Sequence, residues 1–271
     1  MINKVVLEFI AIVIVFVSVW FALSRIDFVN EDDLNKFSKA GEKKLSELIL
    51  KTLEFKHEEL DHSKIKAYID SIGTRICEAN QIPFDSIKIH IIDNREVNAF
   101  ALPDRHMVIY TGLIENAKSA EEVAGVMAHE IGHMEKSHVM KKLAKEIGIT
   151  MLFLLAGGNE NFEVLKEAGR VLSSTAFDRS QEREADLYAV EALAKAEIDP
   201  EPFGNFLFRM STSEKDMPEE LVWISTHPDS KERAAEIFKK KKEYTFPPRS
   251  ILKTPWTIVQ ETIDNAEEKP E

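Results

Sequence analysis

Residues Ser119 to Glu146 read SAEEVAGVMAHEIGHMEKSHVMKKLAKE, and the reading of the whole chain turns on them. Ser119 followed by Glu122 is a capping-box start. Val123, Val126, Met127, Ile131 and Met134 recur mostly at three- and four-residue steps, the stripe that a buried helix needs. The stretch is therefore expected to be one long helix. His129 and His133 stand four residues apart on it, so both imidazoles can reach one metal ion from one face. Glu130 is turned about 100° from His129, which lets it sit beside the metal and take a proton from water without being a ligand. Two histidines at this spacing also occur by chance, so a third ligand has to be found.

His138 is excluded, because five residues after His133 it is rotated about 140° off the metal face. The better source is Ser180-Gln181-Glu182-Arg183-Glu184-Ala185-Asp186, which opens a helix running to about Ala196. A carboxylate from Glu182 completes a two-histidine, one-glutamate zinc site and leaves a fourth position open. Asp186, four residues on, shares that face and can accept a hydrogen bond from the outer nitrogen of a ligand histidine, fixing its tautomer. Glu184 lies about 200° away from Glu182 and cannot do the same job.

Upstream, Val5 to Leu23 is almost wholly apolar. Nineteen helical residues rise about 28 Å, enough to span a bilayer's hydrocarbon core. Lys4 before it, and Asp27, Glu31, Asp32 and Asp33 after it, place the short N-terminus inside and the body outside, with Arg25 on the far flank as the one residue against this orientation. A cleaved signal peptide is the competing reading, but Ala22-Leu23-Ser24 is a poor cleavage site. Helical patterns follow at Asp33–Glu59 and Ser63–Asn80, then strands at Ile87–Ile91, Asn98–Leu102 and Met107–Tyr110. His90 and His106 read as surface or turn residues. Ile147–Leu155 is strongly apolar but too short to span; a buried helix is preferred over a lip dipping into a membrane surface.

Net charge is −12 over 271 residues, which argues against a nucleic-acid partner. The single cysteine, Cys77, permits no intrachain disulfide and reads as a core residue. Phe203, Phe206, Leu207 and Met210 form the apolar stripe of another packing helix.

His129-Glu130-xx-His133, then Glu182 to Asp186, then Thr226-His227-Pro228 with Arg233, together resemble the gluzincin family of membrane-linked metallopeptidases. That family includes the CAAX prenyl proteases, the HtpX heat-shock proteases, the mitochondrial OMA-type proteases and the BepA-type periplasmic proteases. The resemblance covers roughly Ile87 to Ile237 and implies one Zn2+ per chain on His129, His133 and Glu182, with Glu130 as catalytic base. It further implies that His227 lies near the open metal position, as a switch ligand or transition-state donor, and that Arg233 supports the site. Asn98, Ala99 and Phe100 look like the start of the family's substrate-edge strand. Two departures stand out: Asp104-Arg105 replaces a pair of glycines common in relatives, and Ala196-Glu197 replaces Ala-Gly.

The expected fold is α+β, a mostly helical zincin-like metallopeptidase domain with a small antiparallel or mixed β-sheet, preceded by one N-terminal transmembrane helix. The expected parts are an anchor at 1–25, the peptidase domain at 26–250 and a C-terminal extension at 251–271 with a disordered end. The expected function is a single-pass zinc endopeptidase of the cytoplasmic (inner) membrane. Its catalytic domain would face the periplasm or outside and act on misfolded or unfolded proteins. The alternative is a chaperone-like or adaptor protein that binds clients without cleaving them. Glu130 favours the enzyme, because a pure binding module has no use for the base.

Overall fold

Ser119 begins the central helix by accepting a hydrogen bond at its hydroxyl from Glu122 N, 3.4 Å away. Glu122 does not close a reciprocal capping box; its carboxylate accepts from Lys118 N instead and is paired with Arg209. The expected single long helix is two helices, because Ser137 takes a left-handed conformation with φ +56°. In the computed structural model, residues 9, 12–18, 37–54, 59–60, 62–158, 161–213, 223, 226–246 and 250–267 are described. The helices among them are α1 Lys39–Glu54, α2 Ser63–Ala79, α3 Thr111–Asn116, α4 Ala120–Glu135, α5 His138–Ile147, α6 Ile149–Ala156, α7 Phe162–Ser174, α8 Arg179–Lys195, α9 Glu201–Ser213, α10 Ser230–Lys241 and α11 Trp256–Glu267. The strands are β1 Lys88–Ile92, β2 Ala99–Leu102 and β3 His106–Tyr110.

The sheet order is β1-β3-β2, with β1 parallel and β2 antiparallel to β3. Side chains alternate across a strand, and here both faces are covered. Ile89, Ile91, Met107 and Ile109 enter one core with α2, α4, α8 and α9. Phe100, Leu102, Val108 and Tyr110 enter a second core with α1, α5, α6 and α7. The β2–β3 hairpin turns through Asp104 and Arg105, both at positive φ, +53° and +61°. That is the type I′ geometry glycine favours, so the two non-glycine residues stand against an intrinsic cost. Their side chains are tied down, Asp104 to Lys88 at 2.6 Å and Arg105 to Glu135 at 2.6 Å. Glu197 similarly takes φ +55° after α8.

The metal helix α4 runs through the middle, and glycines let its neighbours approach. A Cβ on Gly132 would lie 3.1 Å from the Ala185 backbone of α8, and one on Gly125 2.2 Å from Phe203 of α9. Phe203, Phe206, Leu207 and Met210 are buried as their spacing requires, and so is Cys77, whose thiol burial pushes up to about 11. α11 packs back through Trp256, Val259 and Ile263, so the expected disordered end is helical as far as Glu267. α6 is not the buried helix expected, since Leu152 and Leu155 are buried while Phe153 and Leu154 face outward. Among the described residues no helix is long and apolar enough to cross a membrane; most of Val5–Leu23 lies outside those residues.

Candidate metal centre

Four elements converge on one buried point. α4 brings His129, Glu130 and His133, α8 brings Glu182 and Asp186, the segment before α10 brings His227, and α10 brings Arg233. One ligand atom from each of His129, His133, Glu182 and His227 lies within 4.8 Å of every other. His129 Nε2 and His133 Nε2 are 3.0 Å apart, and Glu182 oxygens stand 3.6 and 3.4 Å from them. A tetrahedral zinc with bonds near 2.0–2.1 Å has ligand–ligand edges of about 3.3 Å.

The outer hydrogen bonds fix what these nitrogens present. His129 Nδ1 is 2.9 Å from Asp186 Oδ1, so the ring donates there and turns an unprotonated Nε2 inward. His133 Nδ1 lies 3.1 Å from His138 Nδ1, and His138 Nε2 3.3 Å from Glu184. With His138 donating to Glu184, its Nδ1 accepts from His133, and His133 Nε2 is also a bare lone pair. Two lone pairs facing each other at 3.0 Å have no proton between them; a cation satisfies both. The donor set fits zinc.

Charge is balanced around this point. Burial first, helped by neighbouring cations and opposed by Glu182, pulls the histidines towards their neutral forms, His133 to about 3 and His227 to about 4. Burial alone would raise the pKa of Glu182 and Asp186, but Arg233, joined by His227 and His133 at Glu182 and by His129 at Asp186, outweighs it, and both carboxyls end below their ordinary range. Arg233 Nη1 is 2.5 Å from Glu182, while Nε and Nη2 meet Asp186 at 2.7 and 2.8 Å. Glu130 differs: burial first, then the Glu182 charge, push it up to about 8. Its Oε2 accepts from Ala101 N at 2.9 Å. Among the described residues its buried Oε1 has no hydrogen-bond partner, since His227 Nε2 approaches to 3.4 Å without hydrogen-bonding geometry.

His227 reaches in among the ligand atoms, its Nδ1 3.0 Å from Glu182 Oε1 and 3.3 Å from His129 Nε2. Its ring lies between Trp223, at 4.5 Å, and Phe177, at 5.8 Å. Phe177 also covers His133 at 3.9 Å and carries Lys142 Nζ 3.8 Å from its ring centre.

The strand residues are placed differently. Asn98 is buried and donates from Nδ2 to Ser173 O. Phe100 packs edge-on to Tyr110. It is Ala101, through its backbone, that touches Glu130. His106 is buried rather than a surface residue and bonds to His90 at 2.9 Å, away from the metal centre. Sequence reasoning excluded His138 as a ligand but missed its contact with His133, because the left-handed Ser137 swings α5 back, which a continuous helix would not allow. Phe177 and Trp223 were also missed; neither lies in a motif.

The sequence profile of peptidase family M48 matches residues 63–241. The chain is 28% identical over 192 residues to a putative beta-barrel assembly-enhancing protease of Vibrio cholerae, covering 63% of this chain and 39% of that protein. It is 27% identical over 175 residues to the mitochondrial metalloendopeptidase OMA1 of Schizosaccharomyces pombe, covering 63% and 51%. With the OMA1 of Arabidopsis thaliana it shares 30% over 149 residues, 55% and 30% of the two chains. The chain thus spans about a third to a half of the length of these relatives.

Proposed function

The chain belongs to peptidase family M48, and on that premise we propose that it is a membrane-anchored zinc endopeptidase acting on unfolded or misfolded proteins at the cell envelope. The observation that carries the enzymatic part is the unpartnered Oε1 of Glu130, buried beside a closed set of metal-binding atoms. A structural zinc site needs no such base.

His129, His133 and Glu182 would hold the zinc. Bound there, zinc supplies Lewis acidity towards a peptide carbonyl and brings the pKa of a water towards about 7. Glu130 then does the proton work. Held through Oε2 by Ala101 N, it takes a proton from the attacking water at Oε1 and delivers it to the departing amine. A metal cation nearby lowers its pKa from about 8, which makes it a base near neutrality. Asp186 keeps His129 in the ligating tautomer, and Arg233 holds Glu182 and Asp186 ionised. His227 takes the position a substrate oxygen would need, so it either donates to the developing oxyanion or blocks the site until displaced.

Antiparallel pairing gives the backbone polar groups of Asn98 and Phe100 to β3 and leaves those of Ala99 and Ala101 at the outer edge; Tyr110 N donates to Asn98 O accordingly. An extended peptide adding to this edge would pair with the Ala99 backbone and the Ala101 carbonyl, since Ala101 N is taken by Glu130, rather than with the Asn98 or Phe100 side chains. The ligand residues are all buried, so the covering segments around Phe177 and His227 have to move first. The apolar stretch at Val5–Leu23 supports an anchor in the inner membrane with the catalytic body outside the cytoplasm.

The test is zinc content and casein cleavage by the detergent-solubilised full chain and its Glu130→Gln variant. One zinc per chain in both, with cleavage only by the unmodified protein, is expected. Proteolysis retained by the variant, or no zinc in either, would overturn the reading. Zinc with no cleavage in either protein would favour the client-binding alternative, for which the enclosed metal centre is the supporting observation.

A further inference from the structure

We propose that the outward face of α6, with Phe153 and Leu154, forms a docking surface that rests in the interfacial layer of the bilayer holding the N-terminal segment. The inference deepens the membrane-anchored reading above and rests on it. From Ile147 to Gly158 the chain carries no charged residue. Phe153 and Leu154 are 41% and 47% exposed, whereas Leu152 and Leu155 hold the other side of α6 in the core. Such side chains gain by entering the acyl boundary, where an amphipathic helix lies about 5–10 Å deep.

The occupant follows from how the chain reaches α6. α6 packs directly on the first turns of α1. Phe37 and Phe153 rings are 5.1 Å apart, and a Cβ on Gly41 would lie 3.2 Å from Ala156 Cβ. Only residues 24–36 separate Phe37 from the apolar Val5–Leu23 stretch. Thirteen residues reach roughly 45 Å if fully extended and roughly 20 Å if helical. The anchor's exit point therefore keeps this end of the body near the bilayer. The chain is acidic, 47 Asp and Glu against 35 Lys and Arg, and an anionic leaflet repels it. A close approach is best made through a surface without charged residues, and the exposed side of α6 is one.

The test uses the full chain in phosphatidylcholine–phosphatidylglycerol vesicles. Leu154→Cys is labelled with an environment-sensitive dye; Cys77 is buried and its thiol is raised to about 11, so labelling goes to the new site. Glu78→Cys, exposed on α2, and Val13→Cys, in the apolar stretch, are parallel probes. The expected result is blue-shifted emission at 154 with a roughly twofold loss when lipids bear a nitroxide just below the headgroup, and no change at 78. Quenching at 13 by a deep nitroxide but none at 154 would leave the anchor standing and overturn the docking surface. No quenching at either site would overturn both. A blue shift at 154 that grows with protein-to-lipid ratio and resists lipid quenching would mean a second copy covers the face, and would also overturn the proposal.

Discussion

Replacing Arg233 with methionine removes the one cation among the described residues that pairs with both Glu182 and Asp186. The guanidinium lies 2.5 Å from Glu182 and bonds to both Asp186 oxygens at 2.7 and 2.8 Å, and all three side chains are buried. Breaking a buried pair by deleting one partner costs about 3–5 kcal/mol, because a charge is left uncompensated. At roughly 2–4 °C per kcal/mol for a chain of this size, the metal-free variant should melt about 6–20 °C lower. Zinc should recover part of that loss, since it neutralises Glu182 while His129 still donates to Asp186. The sign with pH is fixed. In the unmodified protein both carboxyls are depressed, so they contribute stability above their unfolded values near 4 that is lost as pH falls through their folded ones. In the variant they no longer are, so its deficit should be large at pH 8 and shrink towards pH 5 as they take up protons. The assay is thermal unfolding of both proteins with and without zinc at the two pH values. A deficit under about 1 kcal/mol in the metal-free state, or one that zinc leaves unchanged, would refute the assignment. If the variant does not fold, Arg233→Met combined with Asp186→Leu should fold better than Arg233→Met alone.

His138→Leu should weaken zinc affinity by about 10–100-fold, the usual effect of losing the group that orients a ligand histidine, as read by chelator competition; unchanged affinity would remove His138 from the site. Zinc binding at pH 7 should release about 0.9 proton, because a Glu130 pKa near 8 leaves it mostly protonated while the histidines are already neutral. Calorimetry in buffers of different ionisation enthalpy measures this, and equal release by Glu130→Gln would be the contrary result. Stability of the metal-free protein should fall as pH drops below about 6.5: His133 and His227, lowered to about 3 and 4 when folded, bind protons in the unfolded chain first and together outweigh Glu130, which is raised to about 8 and acts in the opposite sense. A flat profile between pH 7 and 5 would contradict it. Gly132→Ala places a Cβ 3.1 Å from the Ala185 backbone, pushes α8 from α4 and should loosen zinc more than it lowers the melting temperature; the reverse order would show the glycine to be merely structural.

Much of the site was legible because its spacing is local. His129 and His133 share a helix face whatever the rest of the chain does, and Glu182 and Asp186 do likewise four residues apart. The three strands, the α9 stripe and the α+β class follow from apolar periodicity, which depends on burial rather than on partners. Tertiary structure alone decided what depends on where helices cross. A single left-handed residue, Ser137, ends the metal helix and swings His138 onto His133. Phe177 flanks His227 from a segment far upstream, while Trp223 stands on the turn just before it, its carbonyl accepting from His227 N. The strand residue that meets Glu130 is Ala101, by a backbone N–H that every amino acid but proline carries. A backbone contact leaves no trace in residue identity, and a helix's tilt is set by the sum of its packing. The sequence by itself therefore determined the chemistry of the ligands, while the fold decided the tautomers, the charge on Glu130 and the enclosure that make them one centre.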